Sequence, residues 1–187
     1  MLHQTLSFVL ILASCVAAHP PAQQAAKPKS KVQVVGDFVR ISFPGDDAFG
    51  YSLELWQEGD HIFGLLEVYV GPPADPPAGL LEDVSFDRRT GRFSFSARLS
   101  TGVASGPGNK MVPTRERFTF KGTLTRRQVT GALRQVDVLR PDLPAVVRRI
   151  KLRFSKRRTE DLMPAPASYD DWRKWADDIL RRRGPQW

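Results

Sequence analysis

From residue 32 to residue 154, hydrophobic and polar side chains alternate with a period of two, the pattern of strands buried on one face. The alternation breaks into eight runs: residues 32–43, 51–57, 61–70, 80–86, 92–99, 116–124, 128–135 and 146–155. Turn chemistry separates them. Pro44-Gly45-Asp46 ends the first run, Glu58-Gly59-Asp60 makes a tight hairpin loop, and Gly91 closes the 87–91 loop in a position suited to left-handed backbone. Residues 71–79 carry four prolines and read as a loop, as do the Gly/Ser/Pro-rich residues 101–114. The run at 61–70 is apolar on both faces, with Ile62, Leu66, Val68 and Val70 against Phe63, Leu65 and Tyr69. A strand of that kind needs a cover on its outer side.

The tail changes period. Trp172, Trp175, Ala176, Ile179 and Leu180 fall on one face of a helix over residues 168–183. Ser168 is placed to cap it, with Asp171 three residues on. Asp170 and Asp171 in the first turn and Arg181 to Arg183 in the last suit the helix dipole, and Gly184-Pro185 stops it. This helix is expected to pack on the barrel over Phe63 and Leu65. The fold class is therefore mainly β: an antiparallel meander of about eight strands, as a small barrel or a sandwich, with one C-terminal amphipathic helix.

Two segments echo each other. Residues 92–99 and 117–124 both read Arg-Phe-small-Phe-any-small-any-Leu, placing Phe93, Phe95, Ala97 and Leu99, and Phe118, Phe120, Gly122 and Leu124, on inward faces. Inward small residues here, with Gly64 and Gly131, either let strands bend to close a barrel or leave room for a ligand. The pattern resembles the calycin type of barrel, such as lipocalins or avidins, at the level of architecture alone. That resemblance implies a closed barrel and assigns no activity.

The organisation expected is a signal peptide at 1–18 (or 1–14 for a lipoprotein), a disordered tether at 19–31, an antiparallel β domain at 32–158, a linker at 159–167 and the helix at 168–183. Leu6, Phe8, Val9, Leu10, Ile11 and Leu12 form an apolar run too short to span a bilayer, which takes ~20 residues. Val16-Ala17-Ala18 suits cleavage before His19. Leu12-Ala13-Ser14-Cys15 resembles a bacterial lipobox, which implies lipidation of Cys15 and a lipid anchor. The expected location is the periplasm or cell envelope, or secretion where the source is not bacterial.

Cys15 is the chain's one cysteine, so a mature domain has no disulfide, thiol nucleophile or Cys metal site. His61 is its one histidine beyond the leader and His19, too few for a His-based zinc site. The sequence points to no cofactor and no metal. Glu54 and Glu67, on neighbouring strands, are the pair a carboxylate-dependent hydrolase would use.

The net charge is +8, and seven cations lie within residues 148–158. Arg149, Lys151 and Arg153 share the polar face of the last strand, with Lys156, Arg157 and Arg158 beyond it. This is a candidate site for an anionic envelope polymer or lipid head groups. Stacking aromatics are absent from that face, which disfavours nucleic acid. The leading functional expectation is an exported, non-enzymatic barrel that binds a partner or serves a structural role. The rivals are a carrier of a small apolar ligand, the polyanion binder and the hydrolase.

Overall fold

The computed structural model describes residues 31–72, 75–106, 108 and 110–183. The signal-peptide and Cys15 readings, and most of the tether, lie outside them. Ten strands and two helices follow in order: β1 (Gln33–Ser42), β2 (Ala48–Glu58), β3 (His61–Gly71), β4 (Ala78–Phe86), β5 (Arg92–Leu99), β6 (Val103–Ser105), β7 (Met111–Pro113), β8 (Glu116–Leu124), β9 (Gln128–Asp137), β10 (Val146–Phe154), α1 (Lys156–Asp161) and α2 (Tyr169–Arg182). Eight strands close an antiparallel barrel in the order β1-β10-β9-β8-β5-β4-β3-β2. The choice between barrel and sandwich is thereby decided for the barrel.

The eight long strands are those the alternation predicts, with some ends shifted. β2 starts at Ala48 because its ladder with β3 continues through Gly50↔Tyr69 to Ala48↔Gly71. The segment read as a loop at 101–114 holds a separate two-stranded hairpin, β6 with β7. Glu116 ties this hairpin to the barrel end, accepting from the Thr101 amide at 2.8 Å and the Thr101 hydroxyl at 2.6 Å. Residues 156–161, placed at the domain end and in the linker, form the short helix α1, capped by Ser155.

The two echoing segments are neighbours, and their register explains the echo. Phe95 pairs with Phe120, Phe93 faces Gly122 and Phe118 faces Ala97. Each strand's small inward residue thus makes room for a ring of the other. Phe95 and Phe120 stack at 5.2 Å between centroids, and Phe93 lies 5.6 and 6.0 Å from them. Phe93, Phe95, Phe118 and Phe120 are all buried within one core cluster. A filled interior of this kind argues against an apolar carrier. A cleft of about 690 Å³ does open at the barrel end beside Phe86 and Phe154.

Outside the barrel, Trp56, Phe63 and Leu65 of β2 and β3 form a second core with Trp172, Ala176 and Leu180 of α2. The helix covers the strand face that the sequence left apolar on both sides. Ser168 caps it, accepting from the Asp171 amide at 3.2 Å while its hydroxyl donates to the Asp171 carboxylate at 2.7 Å.

Gly122 and Gly131 lie directly opposite each other. A Cβ on Gly122 would stand 2.2 Å from the Thr130 carbonyl oxygen and 2.7 Å from the Phe120 ring. The nearest obstacle is backbone, so the strands themselves would have to move. Gly122→Val is expected to lower unfolding free energy by about 1–3 kcal/mol in urea titrations. A loss below about 0.5 kcal/mol, the level of an ordinary surface change, would show that the close approach is dispensable.

Candidate functional site: a buried acid cluster and an open basic face

Charge divides between two walls of the barrel. The outward side chains of β1, β2 and β3 include Asp37, Ser52, Glu54, Glu67 and Tyr69. Asp37 faces Glu54, and Ser52 faces Glu67. Cross-strand neighbours place Asp37 and Glu54 ~5 Å apart at Cβ, with Glu54 and Glu67 on a diagonal of ~7–8 Å. Glu54 and Glu67 therefore share one side of the sheet, as a catalytic pair would require. Both, however, lie beneath the helical layer: Glu67 is 2% exposed and Glu54 8%.

Two guanidinium groups from the tail are set into this cluster. Arg158 of α1 donates through Nε to Asp37 at 2.5 Å and through Nη2 to Glu67 at 3.1 Å. Arg183, at the C-cap of α2, pairs with the other Glu67 oxygen. The Ser52 hydroxyl donates to Asp37 at 2.5 Å and the Tyr69 hydroxyl to Glu67 at 2.9 Å. Backbone bonds fix α1 in place: the Asp37 amide donates to Thr159 Oγ1, and the Ser155 amide donates to the Asp37 carbonyl. The cluster thus clamps both ends of the helical segment to the barrel wall.

Three carboxyl groups meet two guanidinium groups. Burial, with the charges of Glu67 and Asp37 beside it, pushes the Glu54 carboxyl up to about 8. At neutral pH Glu54 therefore keeps its proton. Burial also raises Asp37, outweighing the hydrogen bonds from Ser52 and Arg158 that pull it down. Tyr69 is pushed up to about 12 by burial and by Glu67. With Glu67 held on both oxygens by guanidinium groups from the tail, the cluster docks the tail on the barrel wall.

The opposite wall is built from β5, β8, β9 and β10, whereas the described helices pack on the side of β1 to β4. Arg149, Ala132, Lys121 and Ser94 form one cross-strand row; Lys151, Thr130, Thr123 and Arg92 form the next. Arg134 and Arg117 lie on the same face, between Val147 and Thr119 and between Val136 and Arg98. None of the outward positions on these four strands is Asp or Glu. Among the described residues of this wall, Arg98 alone forms a salt bridge, with Glu82 of the neighbouring strand β4. Within a row, cations two strands apart stand ~9–10 Å from each other, and successive cations along β10 ~6.7 Å. Ala, Ser and Thr between them make a low floor.

The six cations read from the sequence thus separate. Arg149, Lys151 and Arg153 lie exposed on this face. Lys156 and Arg157 continue it onto α1, where Lys156 reaches Glu160 at 3.8 Å. Arg158 turns away into the acid cluster. Arg92, Arg117, Lys121 and Arg134 were not singled out from sequence, because only strand register brings them beside β10. The signal for the acid cluster was Glu67, a lone acid within an otherwise apolar strand. Among the described residues, no group of three or more His, Cys, Asp and Glu could hold a metal ion. No family model matches the chain, and no curated protein or solved structure matches it significantly.

The proton on Glu54 gives a testable sign. The folded state holds it up to about pH 8, whereas the unfolded chain releases it near 4.5. Between those values the folded state binds more protons, so stability falls as pH rises and levels off above 8. Glu54→Gln, neutral at every pH, is expected to remove that part of the slope. Urea midpoints measured for both proteins across this range check it; parallel curves throughout would mean Glu54 ionises normally.

Proposed function

We propose that this protein is an exported, non-enzymatic binding barrel that holds an anionic envelope polymer against its uncovered wall. The observation that carries the reading is the grid of exposed cations over four adjacent strands with no outward carboxylate among them. A stable sheet does not need such a face, since like charges directly opposite, as at Arg98 and Arg117, destabilise it. A polyanion laid across the grid would neutralise several cations at once and release its counterions. The covered acid cluster supports the same reading from the other side. It buries Asp37, Glu54 and Glu67 against the barrel and draws Arg158 and Arg183 onto them, so these acids lie on the covered wall and away from the cation grid.

Heparin serves as the probe polymer. Arg149→Ser, Lys151→Ser and Arg153→Ser together are expected to lower the slope of log affinity against log salt by roughly 2–3, about one per lost contact. Lys174→Ser, on the helix-covered wall, is expected to leave it unchanged. A triple variant that elutes at the wild-type salt concentration would refute the site.

Export and anchoring form part of the reading and rest on residues 6–18. Intact mass of the protein from a native-like bacterial membrane fraction is expected to fit a chain starting at lipidated Cys15. A chain starting at unmodified His19 would remove the anchor and leave secretion, and a chain retaining Met1 would remove both.

A further inference from the structure

The barrel closes at one seam, and the seam is split. β1 pairs with β2 from Gln33↔Gln57 to Ser42↔Phe49, and β10 pairs with β9 from Val146↔Gln135 to Arg153↔Gln128. Between β1 and β10 the register holds only Phe38↔Phe154 and Val39↔Arg153. The next rung, Ile41 opposite Lys151, is not made. The Ser155 amide points toward β1 and the Phe154 amide toward the other side, so ladder alternation turns the amides of Val147, Arg149 and Lys151 to the seam. Above Val39, two strands thus present backbone edges to a groove of about 530 Å³.

The groove is positive on both of its faces. Arg40 and Arg148 occupy inward-facing positions on either side of the seam, and Arg149 stands on the outward side. Arg148 donates to the Gln135 side chain at 3.0 Å, and none of the three forms a salt bridge with a described residue. Ile150 and Tyr51 line the floor, and Val147 and Phe49 are exposed at the rim. Unpaired strand edges recognise extended backbone, and flanking pockets select its alternate side chains. The chain's own N-terminal segment has the wrong charge, since residues 1–31 contain Lys27, Lys29 and Lys31 and no acid. Its β strand also begins at Gln33, at the opposite end of the barrel.

We propose that the split seam between β1 and β10 takes an extended acidic segment of a partner protein as an added strand. The segment hydrogen-bonds to the free edge of β10 and presents its carboxylates inward to Arg40 and Arg148, while Arg149 flanks its outward face. The site is separate from the polymer grid, with which it shares Arg149 alone among these three.

The probe is a dye-labelled peptide of alternating Glu and Val, about seven residues long to match the open edge of β10 at ~3.3 Å per residue. Fluorescence anisotropy with the full chain is expected to show saturable binding. Arg40→Ser with Arg148→Ser should weaken it at least about tenfold while leaving heparin elution unchanged. Lys121→Ser with Arg134→Ser should do the reverse, so the seam and the grid can fail independently. A peptide N-methylated at alternate residues keeps every charge and loses its ladder bonds. It is expected to bind wild-type protein at least about tenfold more weakly. Equal affinity for the methylated peptide, or its displacement by heparin from the double Arg variant, would overturn strand addition in favour of simple polyanion attraction. Absence of saturable binding by the unmodified peptide would also overturn it.

Discussion

Trp172 of α2 packs on Phe63 and Trp56, with ring centroids 4.6 and 5.6 Å away, on the outside of β2 and β3. Much of the molecule follows from that contact. Strands carrying Trp56, Phe63 and Leu65 outward cannot face water, because burying each such side chain contributes ~1.5–3 kcal/mol. A helix must therefore lie there, and a short segment must bring the chain back from the end of β10 to place it. The polar residues on the same wall are then trapped beneath that segment, and desolvation makes them costly unless they are paired. Arg158 and Arg183 supply the pairing from the two ends of the segment that covers them.

This arrangement explains how charge is distributed. The excess of cations is not spread over the surface. Several acids are engaged on the helix side, inside the cluster or in pairs such as Arg173 with Asp177. The bare wall keeps cations alone. Short polar side chains between them hold the floor low, so an approaching chain of negative charge would meet guanidinium and ammonium groups first. The split seam lies at the margin of this wall, where β10 turns toward β1 and the ladder parts above Val39.

The strands, their turns and the capped helix were legible in the sequence because each is specified by residues close together. Gly91 does adopt left-handed backbone, at φ 72°, and Ser168 does cap α2. The β6–β7 hairpin was hidden because Gly, Ser and Pro blur alternation over strands of three residues. Helix α1 was hidden because its six residues carry no apolar face; none of them is buried. Its position comes from Ser155 and from long-range bonds to Asp37. Arg158 looked like one more member of a basic run, since the carboxylates it pairs with, Asp37 and Glu67, lie 121 and 91 positions away in the chain. The echo between residues 92–99 and 117–124 was visible, but its meaning was not. Register alone shows that Gly122 accommodates Phe93 and Ala97 accommodates Phe118.

The placement of the tryptophans has an optical consequence. Trp56 and Trp172 are buried in the layer between barrel and helix and the exposed Trp175 packs on Trp56 at its margin, while the barrel interior is built from phenylalanine and aliphatic side chains. The indole emission of these three residues reports the docking of α2 and is nearly blind to the packing inside the barrel. Light therefore separates two events that other probes merge. Lifting the helix would shift the emission to longer wavelength while the circular dichroism of the strands stayed in place. The molecule carries a built-in fluorophore for the motion of its own cover.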